Sequence, residues 1–224
     1  MAAPPPSSGW IAELWPRFCA QWAWKLTGTT LGMTAFFVIY FYLLRHPARP
    51  PFVLPLIALD RWVPFSPLSL VLYLSLWIYV SAGPALLLGG RELLSYGLGA
   101  AVLAVIGLGT FYFWPTIIPP SEVDWSVHPH FAFLKTLDAA GNACPSLHVA
   151  FAVFTGAWLE RILRHLGAGA GPRLFNAAWC VGIVYSTIST RQHVALDALA
   201  GAALGLAVVA VHFRFTDEPA SLSS

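Results

Sequence analysis

The chain has 224 residues, 58% of them hydrophobic and only 10% charged, with a mean hydropathy of +0.69. A soluble domain carries about 25% charge, so this chain could not cover a water-facing surface and reads as an all-α, polytopic membrane protein. The net charge of +2 is too small and too scattered for nucleic-acid binding. Three widely spaced cysteines (Cys19, Cys144, Cys180) without a CxxC give neither a disulfide framework nor a zinc module.

Met1 to Gly9 holds no basic cluster and no short apolar core, so no cleavable signal peptide is expected. Residues 1–26 read as an interfacial or disordered segment. Trp10, Trp15, Trp22 and Trp24 alternate there with Arg17 and Lys25, a mixture that suits the lipid–water boundary.

A span needs roughly 20 apolar residues. Six stretches qualify, at 27–44, 66–89, 94–114, 146–163, 174–190 and 193–213. They predict a six-span domain over 27–213, followed by a disordered tail at 214–224. Pro47 to Pro67 contains six prolines and reads as an extended loop capped by Trp62 and Phe65. Pro115 to Cys144 is the long polar connection, with Glu122, Asp124, His128, His130, Lys135 and Asp138. A tight turn at Ser189 to Gln192 separates the last two spans. With the N-terminus inside, seven basic residues fall in inner segments against five in outer ones, a modest positive-inside bias that Arg45 and Arg49 oppose.

Chemistry concentrates in two stretches on the same side of the six-span plan. In Ser186 to Asp197, His193 and Asp197 are four residues apart and share a helical face that continues as Gly201 and Gly205. A GxxxG stripe lets another membrane helix approach closely, and ionisable groups at the mouth of an apolar helix mark function. In Asn142 to Ala150, Pro145 and Ser146 start a helix, which puts His148 in its first turn beside free N–H groups and the positive end of the dipole. His148, Ala152 and Gly156 form a second small stripe, Gly182 and Ser186 a third. Two histidines, a carboxylate, hydroxyls and a helix N-terminus suit phosphoryl transfer through a covalent histidine: one imidazole oriented by the carboxylate attacks, the other protonates the leaving alkoxide. If so, the two imidazoles lie within about 10 Å, as two groups flanking one phosphorus must.

Cys-Pro-Ser-Leu-His-Val-Ala (144–150) and Ser186 to Asp197 resemble the second and third signatures of the type 2 phosphatidic acid phosphatase superfamily. Ser186, His193 and Asp197 fall in register with the third. Phe-Trp-Pro-Thr (113–116), Leu137-Asp138 with Asn142, and Thr190 to His193 look closest to the inositol phosphorylceramide synthase-like branch. The resemblance implies His193 as nucleophile, Asp197 as its orienting group and His148 as the acid, with Ser146 and Ser186 on phosphate oxygens. It implies a phospholipid, isoprenoid or sphingolipid phosphate substrate in the bilayer and no cofactor.

The sequence departs from that family where its first signature belongs: Phe113 to Pro120 has no basic residue, and Thr187 stands where an arginine follows Ser186. Arg191 is the local cation left to bind phosphate. Fewer cations suit a phosphodiester monoanion better than a phosphomonoester dianion, which favours head-group transfer or diester cleavage over hydrolysis of a lipid phosphomonoester or pyrophosphate. The expected location is the plasma (inner) membrane, with the active site on the non-cytoplasmic face.

Plainer readings compete. His193 and Asp197 could be a structural pair. Metal ligation by His148, His193 and Asp197 fits on ligand type, yet phosphohistidine chemistry needs none, and no metal is expected. His46, His165 and His212 suit interfacial helix ends, His128 and His130 a loop. The Gly97 to Gly109 run reads as helix packing. A transporter or non-catalytic lipid-binding protein stays open as a second class, because polar residues inside spans also mark translocation paths. A transporter would place them near mid-membrane in repeated halves, whereas here they cluster at one surface without a repeat.

Overall fold

A computed structural model describes residues 9–131 and 141–216; Lys135, Leu137 and Asp138, residues 1–8 and most of the tail lie outside them. The six apolar stretches are rich in Leu, Ala, Phe and Tyr and hold their prolines at the ends, and a long helix covers each. The helices are α1 (Leu14–Cys19), α2 (Trp22–Arg45), α3 (Ala58–Trp62), α4 (Ser69–Ala85), α5 (Gly90–Phe113), α6 (Leu147–His165), α7 (Ala170–Ser189) and α8 (Ala195–Thr216). Among the described residues, three segments are long and apolar enough to cross a membrane: α2, α5 and Ala195–Arg214 of α8. Helix α4 is apolar but shorter.

The departure from an all-helical chain is small. Within the proline-rich stretch, Phe52–Val53 (β1) pairs in parallel with Thr116–Ile117 (β2). The same stretch contains α3, so it is not wholly extended, and Trp62 is exposed rather than a cap. Helix α2 starts at Trp22, earlier than the apolar pattern, because Lys25 finds partners. Its ammonium donates to the carbonyls of Arg17 and Ala85, and Arg17 donates to Leu86, so both buried cations complement the C-terminal end of α4. Trp15, Trp22 and Trp24 face outward from the same segment.

Helix α6 is central, packed on α4, α5, α7 and α8 around a core that includes Leu103, Phe154 and Ile183. Buried hydrogen bonds pin the helices, as they do where lipid supplies no hydrophobic contrast. Tyr79 of α4 donates to Asn176 of α7 at 2.7 Å, and Asn176 donates to the Gly156 carbonyl of α6 at 3.0 Å. Tyr96 of α5 meets Thr155 at 2.9 Å. Gly99 and Gly107 admit Phe154 and Leu147, as the packing reading expects, but Gly97 and Gly109 face open space. His212 is not simply interfacial: it is half-buried, 3.0 Å from Ser95 and beside Trp158.

Candidate active site

The α7–α8 turn is built from its backbone. Arg191 adopts a left-handed conformation (φ 56°). The N–H groups of Gln192 and His193 both donate to the Thr187 carbonyl, at 3.2 and 3.0 Å. His193 therefore sits in the turn, just before α8, rather than on its first helical face. Asp197 is the third helical residue and reaches back from the first turn, so His193 Nδ1 and Asp197 Oδ2 are 3.1 Å apart. A carboxylate there also lies at the positive end of the helix. Asp197 is fully buried, and its Oδ1 has no hydrogen-bond partner among the described residues.

Ser146 N-caps α6, its Oγ accepting the Val149 N–H at 3.3 Å. Its own N–H donates to the Asp197 carbonyl at 3.0 Å, which ties the start of α6 to the first turn of α8. His148 follows, and its ring centroid lies 6.0 Å from that of His193. Tyr73 stacks on His148 at 4.3 Å and 14°, and Trp77 meets it edge-on at 5.7 Å. His148 Nε2 is buried and lacks a hydrogen-bond partner among the described residues. Nothing in the sequence pointed to Tyr73 and Trp77: they lie four apart on α4, but no local pattern aims that face at His148.

The other site residues differ in what they can still offer. Ser146 Oγ accepts locally and keeps its hydroxyl proton to donate. Ser186 is fully buried and donates its proton to the Ile183 carbonyl at 2.6 Å. The Arg191 guanidinium points to α3, donating to the carbonyls of Asp60 at 3.4 Å and Val63 at 3.0 Å. It has five donors in all. Thr187 is fully buried and donates its hydroxyl to the Val184 carbonyl at 2.8 Å. Thr116 holds the approach to Ser146, bonding the N–H of Cys144 through its hydroxyl at 2.8 Å and that of Ala143 through its carbonyl at 3.3 Å. Burial, with the charge of Asp197 nearby, pushes the Cys144 thiol up from its ordinary pKa.

Asp60 was invisible in the sequence. It is 5% exposed and accepts the N–H of Ala195, the first residue of α8, at 2.6 Å. Its other oxygen accepts the Ile57 N–H at 2.8 Å. Val194 has no side-chain acceptor, so α8 takes its N-cap from a residue 135 positions away. Together with the Arg191 contacts and the Ser66 N–H on the Ser189 carbonyl (3.0 Å), the 57–66 loop grips the turn that carries His193. Asp60→Ala leaves the buried Ala195 N–H and the partly buried Ile57 N–H unsatisfied, the first worth about 1–3 kcal/mol. It is expected to lower both the unfolding temperature and the rate, with Asp60→Asn recovering part of each because its amide oxygen can still accept. Thermal unfolding and initial rates of the two variants check this, and parental values for Asp60→Ala would show that the clamp carries nothing.

A cavity of about 690 Å³ opens between α2, α4 and α5 and ends on His148, His193 and Asn142. Asn142 is buried and donates to the Tyr40 carbonyl at 3.2 Å. Among the described residues no group of three or more His, Cys, Asp or Glu is placed to hold a metal ion.

Membrane-length helices with a His–Asp pair facing a second histidine at one end define a helical membrane protein with a compact polar site. The PAP2 superfamily model matches residues 92–219, more than half of the chain, and the chain belongs to that superfamily. Membership suggests a phosphatase-type enzyme with a phosphorylated lipid substrate. No curated protein and no solved structure matches the chain.

Proposed function

We propose that this chain is a six-span lipid-phosphate phosphotransferase or phosphatase, its membrane domain over 27–213, working through a phosphohistidine on His193. The observation that carries the reading is the buried His193–Asp197 contact of 3.1 Å with the His148 ring 6.0 Å away. With Nδ1 held by the carboxylate, His193 Nε2 is the nitrogen that attacks phosphorus. A P–N bond forms as the bond from phosphorus to the leaving oxygen breaks, and protonated His148 gives its proton to that oxygen. Water or an alcohol, deprotonated by His148, then attacks the phosphohistidine and releases His193. The N–H groups that open α6 and the Ser146 hydroxyl suit the phosphoryl oxygens. Ser186 and Arg191 can join them by turning a hydroxyl or using further guanidinium donors.

The finer choice is head-group transfer or phosphodiester cleavage, in the manner of the inositol phosphorylceramide synthase-like branch. Among the described cavity-lining residues, the one Lys or Arg is Lys25, at the end away from the histidines. A site poor in cations favours a monoanionic diester over a dianionic monoester. We place the active site on the non-cytoplasmic face of the plasma (inner) membrane.

The test is to incubate the purified protein with labelled phosphomonoester and phosphodiester lipids, with and without polyol acceptors, and identify the products. Transfer or diester cleavage is expected to exceed monoester hydrolysis, and activity is expected to survive strong chelators. A requirement for zinc or magnesium would replace the phosphohistidine with a metal-bound water.

A further inference from the structure

The walls of the cavity run much deeper than a phosphate requires. They extend from Trp24 to Phe41 along α2 and from Leu93 to Phe111 along α5, about 26 Å at 1.5 Å per residue. The hydrocarbon core of a bilayer is about 30 Å thick, so one leaflet offers about 15 Å. A slot of that length that opens at one membrane surface passes the midplane. Its polar end is the histidine pair, where His148 Nε2 is buried without a hydrogen-bond partner among the described residues. Its far end is Trp24 and Lys25, whose ammonium is already held by carbonyls of Arg17 and Ala85.

Small residues keep this space open. Gly28 and Gly32 of α2 form a GxxxG step, which in a membrane normally seals one helix against another. Here both line the cavity, as does Gly97 of α5, and a Cβ added at any of the three would meet nothing within 4 Å. The stripe therefore bores a slot where it would otherwise make a seam. Helix α2 and α4, which form much of the wall, precede the residues matched by the superfamily model.

We propose that the hydrocarbon chain of the substrate lies inside this slot, from the histidine pair past the midplane toward Gly28, and that the enzyme selects a lipid phosphate whose chain exceeds one leaflet. This rests on the lipid-phosphate reading above and adds the length of the chain. Gly28, Gly32 and Gly97 set that length, because a side chain at any of them shortens the bore.

Two measurements on the full chain in phosphatidylcholine vesicles test it, one independent of turnover. A long polyprenyl phosphate with a photoreactive group at its terminal carbon is expected to label residues 24–32 and 93–97. Labelling of outward-facing positions of α4 such as Val71 and Ile78, which are 73% and 78% exposed, in place of the slot would overturn the proposal. Rates are then compared for farnesyl phosphate and the long polyprenyl phosphate. The parent is expected to prefer the long chain. Gly32→Leu and Gly97→Leu are each expected to reduce that preference by about tenfold or more, since even a methylene in an apolar pocket is worth about 10–200-fold. Gly109→Leu, outside the slot and also facing open space, retains the parental preference. Equal losses on both chains in both slot variants would overturn the proposal. Slot labelling without turnover on either chain, or on the phosphodiester lipids of the product assay, would sustain it while refuting the enzymatic reading.

Discussion

His193→Ala is expected to abolish turnover and the trapped phosphoenzyme together. Among the described residues no other imidazole near the site has a carboxylate on one ring nitrogen: His148 stacks on Tyr73 and meets Trp77 edge-on, and its ring is held by packing. Asp197→Asn should keep the fold, because an amide fits the same buried space. It should lower the rate by as much as about 10⁴-fold, because an amide no longer stabilises the correct tautomer of His193 or its charged form. His148→Ala should still form phosphoenzyme from a nitrophenyl phosphate ester, whose leaving group departs unaided. On an alkyl ester, loss of the general acid is worth roughly 10²–10⁴-fold. The measurement is acid-quenched labelling of the protein beside steady-state rates on both esters. An acid-labile, base-stable phosphoenzyme that persists in His193→Ala would sink the assignment. Equal rate losses for His148→Ala on both esters, with chemistry as the slow step, would remove His148 from the acid role.

What the sequence revealed and what it hid divide by distance along the chain. His193, Asp197, Gly201 and Gly205 could be aligned because they repeat every four residues, and Ser146 with His148 because capping is a local pattern. Even there the reason was partly different. His193 stands in the turn, and Asp197 reaches it from the third helical position. Asp60 could not be found, since its partner Ala195 is 135 residues away and the short α3 has no periodicity of its own. Tyr73 and Trp77 looked like any aromatic pair on an apolar helix. The glycines show the limit most clearly. Gly107 and Gly97 belong to one run with one composition, yet Leu147 fills the space before the first and nothing fills that before the second. Spacing tells which residues share a face, and only the packed helices tell what the face meets.

Gly201→Ala is expected to damage stability and catalysis together, more than any other single methyl addition in the glycine stripes. A Cβ at Gly201 would overlap the Ser146 carbonyl, with its carbon and Cβ at 3.1 and 3.2 Å. That obstacle is backbone and cannot rotate away. Ser146 is at once the N-cap of α6, the donor to the Asp197 carbonyl and the neighbour of His148. Helix α8 must therefore retreat from α6, and the retreat separates His193 and Asp197, on one side, from His148 on the other. Overpacking of a well-filled contact costs about 1–3 kcal/mol, and a displacement of about 1 Å between catalytic groups can cost about 10²-fold in rate. Gly205→Ala should be milder, because the stripe meets the Ala150 carbonyl there at 2.8 Å and the movable Val153 side chain at 3.0 Å. Gly109→Ala, facing open space, should leave both properties near parental. Thermal unfolding in detergent and initial rates on one lipid phosphate order the three variants. Parental activity in Gly201→Ala would mean that α6 and α8 need not touch for the histidines to work together, and the site as built here would be wrong.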